Sequence, residues 1–160
     1  MLTPLALLAS LFLPACGATG AHGVPSTPVG FNHLVRPSKP NTALAAPAGY
    51  SPKPDIVTPV YPVSPTELSA IVQRVAGAQP ATFKLGEDES ALEQGWVARS
   101  LIFNFPDVIW AHIRPAETGN SELLLYSRSI YGHSDFGVNR HRVDTWLAAV
   151  ATAVTAVARK

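Results

Sequence analysis

Cysteine occurs once in the 160 residues, as Cys16, so no intramolecular disulfide can form. Charge is sparse as well. Charged residues make up 14% and the net charge is +1, far from the basic excess that a nucleic-acid partner demands. No apolar run approaches the roughly 20 residues of a membrane-spanning helix. No Gly-x-Ser-x-Gly elbow is present, and adjacent positions such as His133, Ser134 and Asp135 cannot form a nucleophilic triad unaided. His112, His133 and His141 lack metal-ligand spacing and have no cysteine to support them. Glu87, Asp88, Glu89 and Glu93 lack the spaced ligands and central glycine of a calcium loop, and read as a solvated turn. No metal and no cofactor are expected.

What is present begins with a short apolar core, Leu5 to Leu13, broken only by Ser10. That is the length of a signal-peptide core. It ends in Leu13-Pro14-Ala15-Cys16, which resembles the bacterial lipobox. The resemblance implies a signal peptide over residues 1–15 and lipidation of Cys16, which would become the new N-terminus. With Gly17 after the cysteine, it also implies the outer membrane in a Gram-negative host. The expected location is therefore the bacterial cell envelope, periplasm-facing and lipid-anchored, with the membrane as a partner through the anchor.

Residues 16–54 form a different zone. Ten of the 15 prolines lie between Pro25 and Pro65. Proline fixes φ and removes a donor, which excludes a long helix or a central strand there. Gly17 to Val29 reads as a flexible tether. Phe31, Leu34, Val35, Leu44 and Tyr50 suggest an extended segment packed across the domain.

A folded domain is legible over residues 55–160. Ile56 to Tyr61 is an edge-strand candidate because of Pro59. Ser64-Pro65-Thr66-Glu67 is a helix start, with a cap, a first-turn proline and a capping box. Leu68, Ile71, Val72 and Val75 give one apolar face, and Gly77 is expected to close the helix. Four strand-like runs follow, at 81–85, 95–103, 108–114 and 122–130. Their short connections imply antiparallel neighbours. A last amphipathic helix starts near Val138, with Val143, Trp146, Leu147, Val150, Val154 and Val157 inward. The expected fold is α+β: an antiparallel sheet of four to five strands with two helices on one face, in two layers. Trp96, Trp110 and Trp146 are expected to fill the core.

The densest polar stretch is residues 127–142, SRSIYGHSDFGVNRHR. Its arginines are Arg128, Arg140 and Arg142. Two readings compete. Amides at a helix start beside arginine bind carboxylate or phosphate, which makes Arg128, His133, Ser134, Asp135, Asn139 and Arg140 candidates for an anion or ligand site. Alternatively Asp135 is the anion already, held by the helix amides and by Arg128 or Arg140; this second reading is favoured because Asp and Ser at a helix start usually satisfy the chain's own donors.

The run Ser127-Arg128-Ser129, then Gly132 to Arg140, then Arg142-Val143 resembles the signature of the bacterial "domain of unknown function 1499" family. Ala98-Arg99-Ser100 through Phe105-Pro106-Asp107-Val108 resembles the preceding strand pair of that family. The likeness covers roughly residues 55–151. Many members carry an Asn-Cys-Val-Ser-Ser segment, whereas here Asn41 is followed by Thr-Ala-Leu. The resemblance implies a bacterial protein, often exported or membrane-anchored, and no assigned activity. Three functions stay open: a non-enzymatic binding or interaction module for a small ligand or envelope protein, an enzyme using residues 127–142, and a structural envelope component. The first is preferred.

Overall fold

The computed structural model describes residues 20–89 and 92–159. The expected signal peptide and Cys16 lie outside the described residues. The first helix, α1 (Pro65–Gly77), starts as its sequence dictates: the Ser64 side chain accepts from the Glu67 amide at 3.2 Å, with Pro65 in the first turn. It ends differently from expectation. Gly77 stays helical and Ala78 caps with right-handed backbone, φ −86°. The second helix is α2 (Val138–Val157).

Between them runs the antiparallel meander: β4 (Thr82–Asp88), β5 (Glu93–Arg99), β6 (Pro106–Pro115) and β7 (Ser121–Ser129). The sheet does not stop there. β1 (Thr42–Ala46) pairs antiparallel with β7, β2 (Ile56–Val57) pairs parallel with β1, and β3 (Val60–Tyr61) pairs with the start of β7. The order is β2-β1-β7-β6-β5-β4. The sheet thus has seven strands and is mixed, which corrects the expectation of four to five antiparallel strands. Two physical causes account for the difference. β1 is Thr-Ala-Leu-Ala-Ala between Pro40 and Pro47, so its strand propensity is weak and its burial comes from its neighbours. The single strand expected over 56–61 is split at Pro59: Thr58 turns inward, its hydroxyl donating to the Leu123 carbonyl at 2.9 Å.

Both helices cover one face. Leu68, Ile71, Val72, Val143, Trp146 and Val150 pack on Trp96, Ile109, Ala111, Leu123 and Leu125. Trp96 and Trp146 meet edge to face at 5.5 Å. The opposite face is also buried, which corrects the two-layer expectation. Phe31 and Leu34 lie over Leu44, Trp110, Leu124 and Tyr126. Trp110 therefore belongs to this second core rather than to the space beneath the helices. Its ring lies flat on Gly95, where a Cβ would come within 2.7 Å of it.

The proline-rich segment before β1 is seated on the domain. Arg99 is buried, with Nε donating to the Gly20 carbonyl at 2.7 Å and an Nη to the His22 carbonyl at 3.0 Å. Val29 packs against the second core. Residues 20–29 follow the protein surface where a free tether was expected.

β5 also ends earlier than its pattern suggests, at Arg99. Residues 100–105 fold into a tight turn. The Asn104 amide donates to the Ser100 carbonyl and the Ser100 amide to the Phe105 carbonyl, each at 3.0 Å. Asn104 takes a left-handed conformation, φ 56°, which asparagine tolerates, and Pro106 begins β6 without needing a donor. Leu101, Ile102 and Phe103 are left exposed at the tip.

Candidate functional site

The C-terminal end of β7, the start of β1 and the N-terminus of α2 converge, and the polar stretch closes around their junction. Asn139 is fully buried at its centre. Its side-chain nitrogen lies 2.7 Å from Asp135 Oδ2, 2.9 Å from Ser129 Oγ and 3.1 Å from the Asn41 carbonyl. Its oxygen accepts from the Ser127 hydroxyl and from an Arg142 Nη at 2.7 Å. Arg142 also donates to Ser127 Oγ at 3.1 Å and pairs with Asp107 at 2.8 Å. One asparagine thus ties two strands, a loop and a helix.

Asp135 is used by its own chain. Oδ1 accepts from the Gly137 amide at 3.0 Å and Oδ2 from the Asn139 amide at 2.8 Å. These are amides at the start of α2, where a negative charge is favoured by the helix dipole. Gly137 makes the turn possible with φ 83°. The arginine expected beside Asp135 is elsewhere. Arg140 reaches Asp144 at 3.0 Å and the Asp55 carbonyl at 3.3 Å. Arg128 lies by the Tyr126 phenol, whose pKa is raised by burial and held back by the Arg128 and Arg36 charges. Ser134 accepts from the Phe136 amide at 3.3 Å, and His133 stands exposed on the loop. Of the six candidates, the structure therefore joins Asp135 and Asn139 in one cluster, and leaves Arg128, His133, Ser134 and Arg140 outside it. The cation the cluster does use is Arg142. Its partners Ser127 and Asp107, and Asn41, whose carbonyl accepts from Asn139, were not selected from sequence. The signal available was that Asn139 and Arg142 stand three apart, hence on one helix face.

Next to this closed cluster lies an open groove of about 390 Å³. One wall is the 100–106 turn, with Phe103 and Phe105 stacked at 5.7 Å. The other is the loop between β7 and α2, with Tyr131, Phe136 and Val138. Phe136 is 98% exposed and holds a left-handed backbone, φ 54°, which an aromatic residue rarely adopts. Asp107 and Asp135 line the floor, but both are engaged by the protein's own donors. Sequence reasoning missed the apolar wall because its alternation looks the same in a strand and in an exposed tip.

The far end of the sheet has a different character. Glu93 and His112 form a shielded cross-strand pair at 2.9 Å, with Phe31 edge-on to the imidazole. Among the described residues, no group of acidic, histidine or cysteine side chains has the arrangement of a metal site.

A chain from Nitrosospira multiformis, solved as a structural genomics target, is similar over 74% of this chain and 99% of its own, with a TM-score of 0.49 and 10% identity. No curated protein matches the sequence. The model of a family described as a protein of unknown function (DUF1499) matches residues 33–150. That span takes in the strand beginning at Thr42, the meander, the polar knot around Asn139 and most of the last helix, and the chain belongs to this family.

Proposed function

We propose that the protein is a lipid-anchored, non-enzymatic binding module of the bacterial envelope, and that the groove between the 100–106 turn and the 131–138 loop is where it binds. One observation carries the reading: the groove is walled by aromatic and aliphatic side chains, while the ionisable groups on its floor are already occupied by internal donors. A site with apolar walls, whose two carboxylates are held by the protein's own donors, binds apolar matter better than it does chemistry. The polar knot around Asn139 then serves as scaffold, fixing the loop that carries Phe136. The envelope location rests on the lipobox-like segment ending at Cys16. Among the described residues no helix is long and apolar enough to cross a membrane, so an anchor at Cys16 would supply the attachment.

The groove is tested by titrating the purified protein with a fluorescent fatty-acid analogue. Saturable binding is expected, weakened about tenfold in Phe105→Ser, the scale of one aromatic contact. Signal that never saturates, or that ignores the substitution, sinks the binding site. The anchor is tested separately: wild-type protein incorporates labelled fatty acid in a bacterial host and Cys16→Ser does not.

A further inference from the structure

We infer that the rim of this groove, the tips of the 101–105 turn and the 131–138 loop, is the face the protein lays on a lipid bilayer. The inference rests on the lipid-anchored binding reading above and names the partner of that same site.

The first argument is what the rim exposes. Leu101, Ile102, Phe103, Phe105, Tyr131 and Phe136 all stand out into solvent, Leu101 by 85% and Ile102 by 82%. Soluble surfaces scatter such side chains singly; a contiguous set marks something that covers it. The two tips lie at the same end of the sheet, since β5 ends and β6 begins there and β7 ends there. They form one edge with a tyrosine among aliphatic and phenyl groups, a composition suited to the boundary between head groups and acyl chains.

The second argument is where the rest of the chain leaves the domain. Arg99 holds the Gly20 and His22 carbonyls, and its other Nη donates at 3.1 Å to the Asn104 carbonyl inside the rim turn. Gly20, the first described residue, therefore lies beside the rim. Three residues lie between Cys16 and Gly20, and the four steps from one to the other span at most about 14 Å. The far end of β6, a strand of ten residues, lies about 33 Å away along the sheet. A lipid on Cys16 can bring the bilayer to the rim and cannot bring it to the opposite end.

The third argument is charge. Glu87, Asp88, Glu89, Glu93, Glu117 and Glu122 sit at or beside the opposite end of the strands. At the rim, Asp107 is paired with Arg142 and Asp135 with helix amides, while His133 and His141 are exposed. Six of the eleven acidic side chains thus lie at the end away from an anionic membrane surface.

The test uses the full-length chain carrying Cys16→Ser, so that a single new cysteine can be labelled. An environment-sensitive fluorophore goes on Ile102→Cys at the rim or on Thr118→Cys at the far end. Both are mixed with vesicles of zwitterionic phospholipid and a minority of anionic phospholipid, brominated on the acyl chains. The bromines are expected to quench the label at 102 and leave that at 118 in water. Leu101→Ser with Phe103→Ser should lower the vesicle partition coefficient about tenfold or more, with an unchanged melting midpoint because both side chains are exposed. Equal exposure of the two labels to an aqueous quencher would overturn the inference. So would a label at 102 that is shielded before vesicles are added, which would mean that the chain's own apolar N-terminal segment fills the groove. Fatty-acid labelling of wild type separates the two readings: labelled protein with 102 in water keeps the anchor and loses the rim, and unlabelled protein with 102 in the acyl region does the reverse.

Discussion

Asn139 and Asp135 are four residues apart and carry different loads. Asn139 is fully buried and satisfies Ser127, Arg142, Asp135 and the Asn41 carbonyl together. Removing it strands several buried partners, each costing about 1–3 kcal/mol. Asn139→Ala should therefore lower stability by about 3 kcal/mol or more, read from denaturant midpoints. Asp135→Asn keeps an acceptor for the helix amides and loses the charge, so about 0.5–2 kcal/mol is expected, the range of a cap. If Asp135→Asn costs more than Asn139→Ala, the knot is centred on the carboxylate rather than on the buried amide. The sequence made Asp135 conspicuous because Ser, Asp and Gly before an amphipathic helix announce a cap. It did not announce Asn41, which lies 98 residues from Asn139 and meets it only because β1 enters the sheet beside β7.

Among the elements, those with local signals were legible and those without were not. α1 carries its cap, proline and apolar stripe within its own residues, and α2 carries its stripe through Val143, Trp146, Val150 and Val154. β1 has no such signal: four of its five residues are small or aliphatic without alternation, and prolines flank it. Its place is set by tertiary partners. The stretch 100–103 shows the reverse failure, an apolar pattern with nothing to bury it. Two elements give measurable consequences. Trp146→Ala should cost about 3–5 kcal/mol, since the ring is buried against Trp96; an unmoved melting temperature would place α2 incorrectly. In β3, burial pushes the Tyr61 phenol from its ordinary 10.0 up to about 12. The unfolded phenol ionises first as pH rises, so the stability this shift contributes is full below pH 10.0 and is lost as pH climbs from there through about 12. Tyr61→Phe should flatten that alkaline loss, and urea midpoints measured across the window check it.

At the scale of the whole molecule, the question is where the folding unit begins. Composition places a boundary near residue 55, towards the end of the proline-rich stretch. The contacts argue for an earlier one. A chain cut to 55–160 would lose β1, the partner of β2 among the described residues, and would leave β7 with an unpaired edge from Leu125 to Arg128. It would also lose Phe31, Leu34 and Leu44, uncovering Trp110, Leu124 and Tyr126. Three large side chains returned to water cost about 1.5–3 kcal/mol each, which together with the lost ladder approaches the whole stability of a typical domain. The Asn41 carbonyl would vanish from the knot as well, taking one acceptor from Asn139. The fragment 55–160 is therefore expected to lack a cooperative thermal transition and to be digested rapidly by protease, while a chain beginning at residue 20 keeps both cores and melts as one unit. If 55–160 melts cooperatively near the longer chain's midpoint, the proline-rich segment is an accessory after all, and the second core contributes little to holding the sheet together.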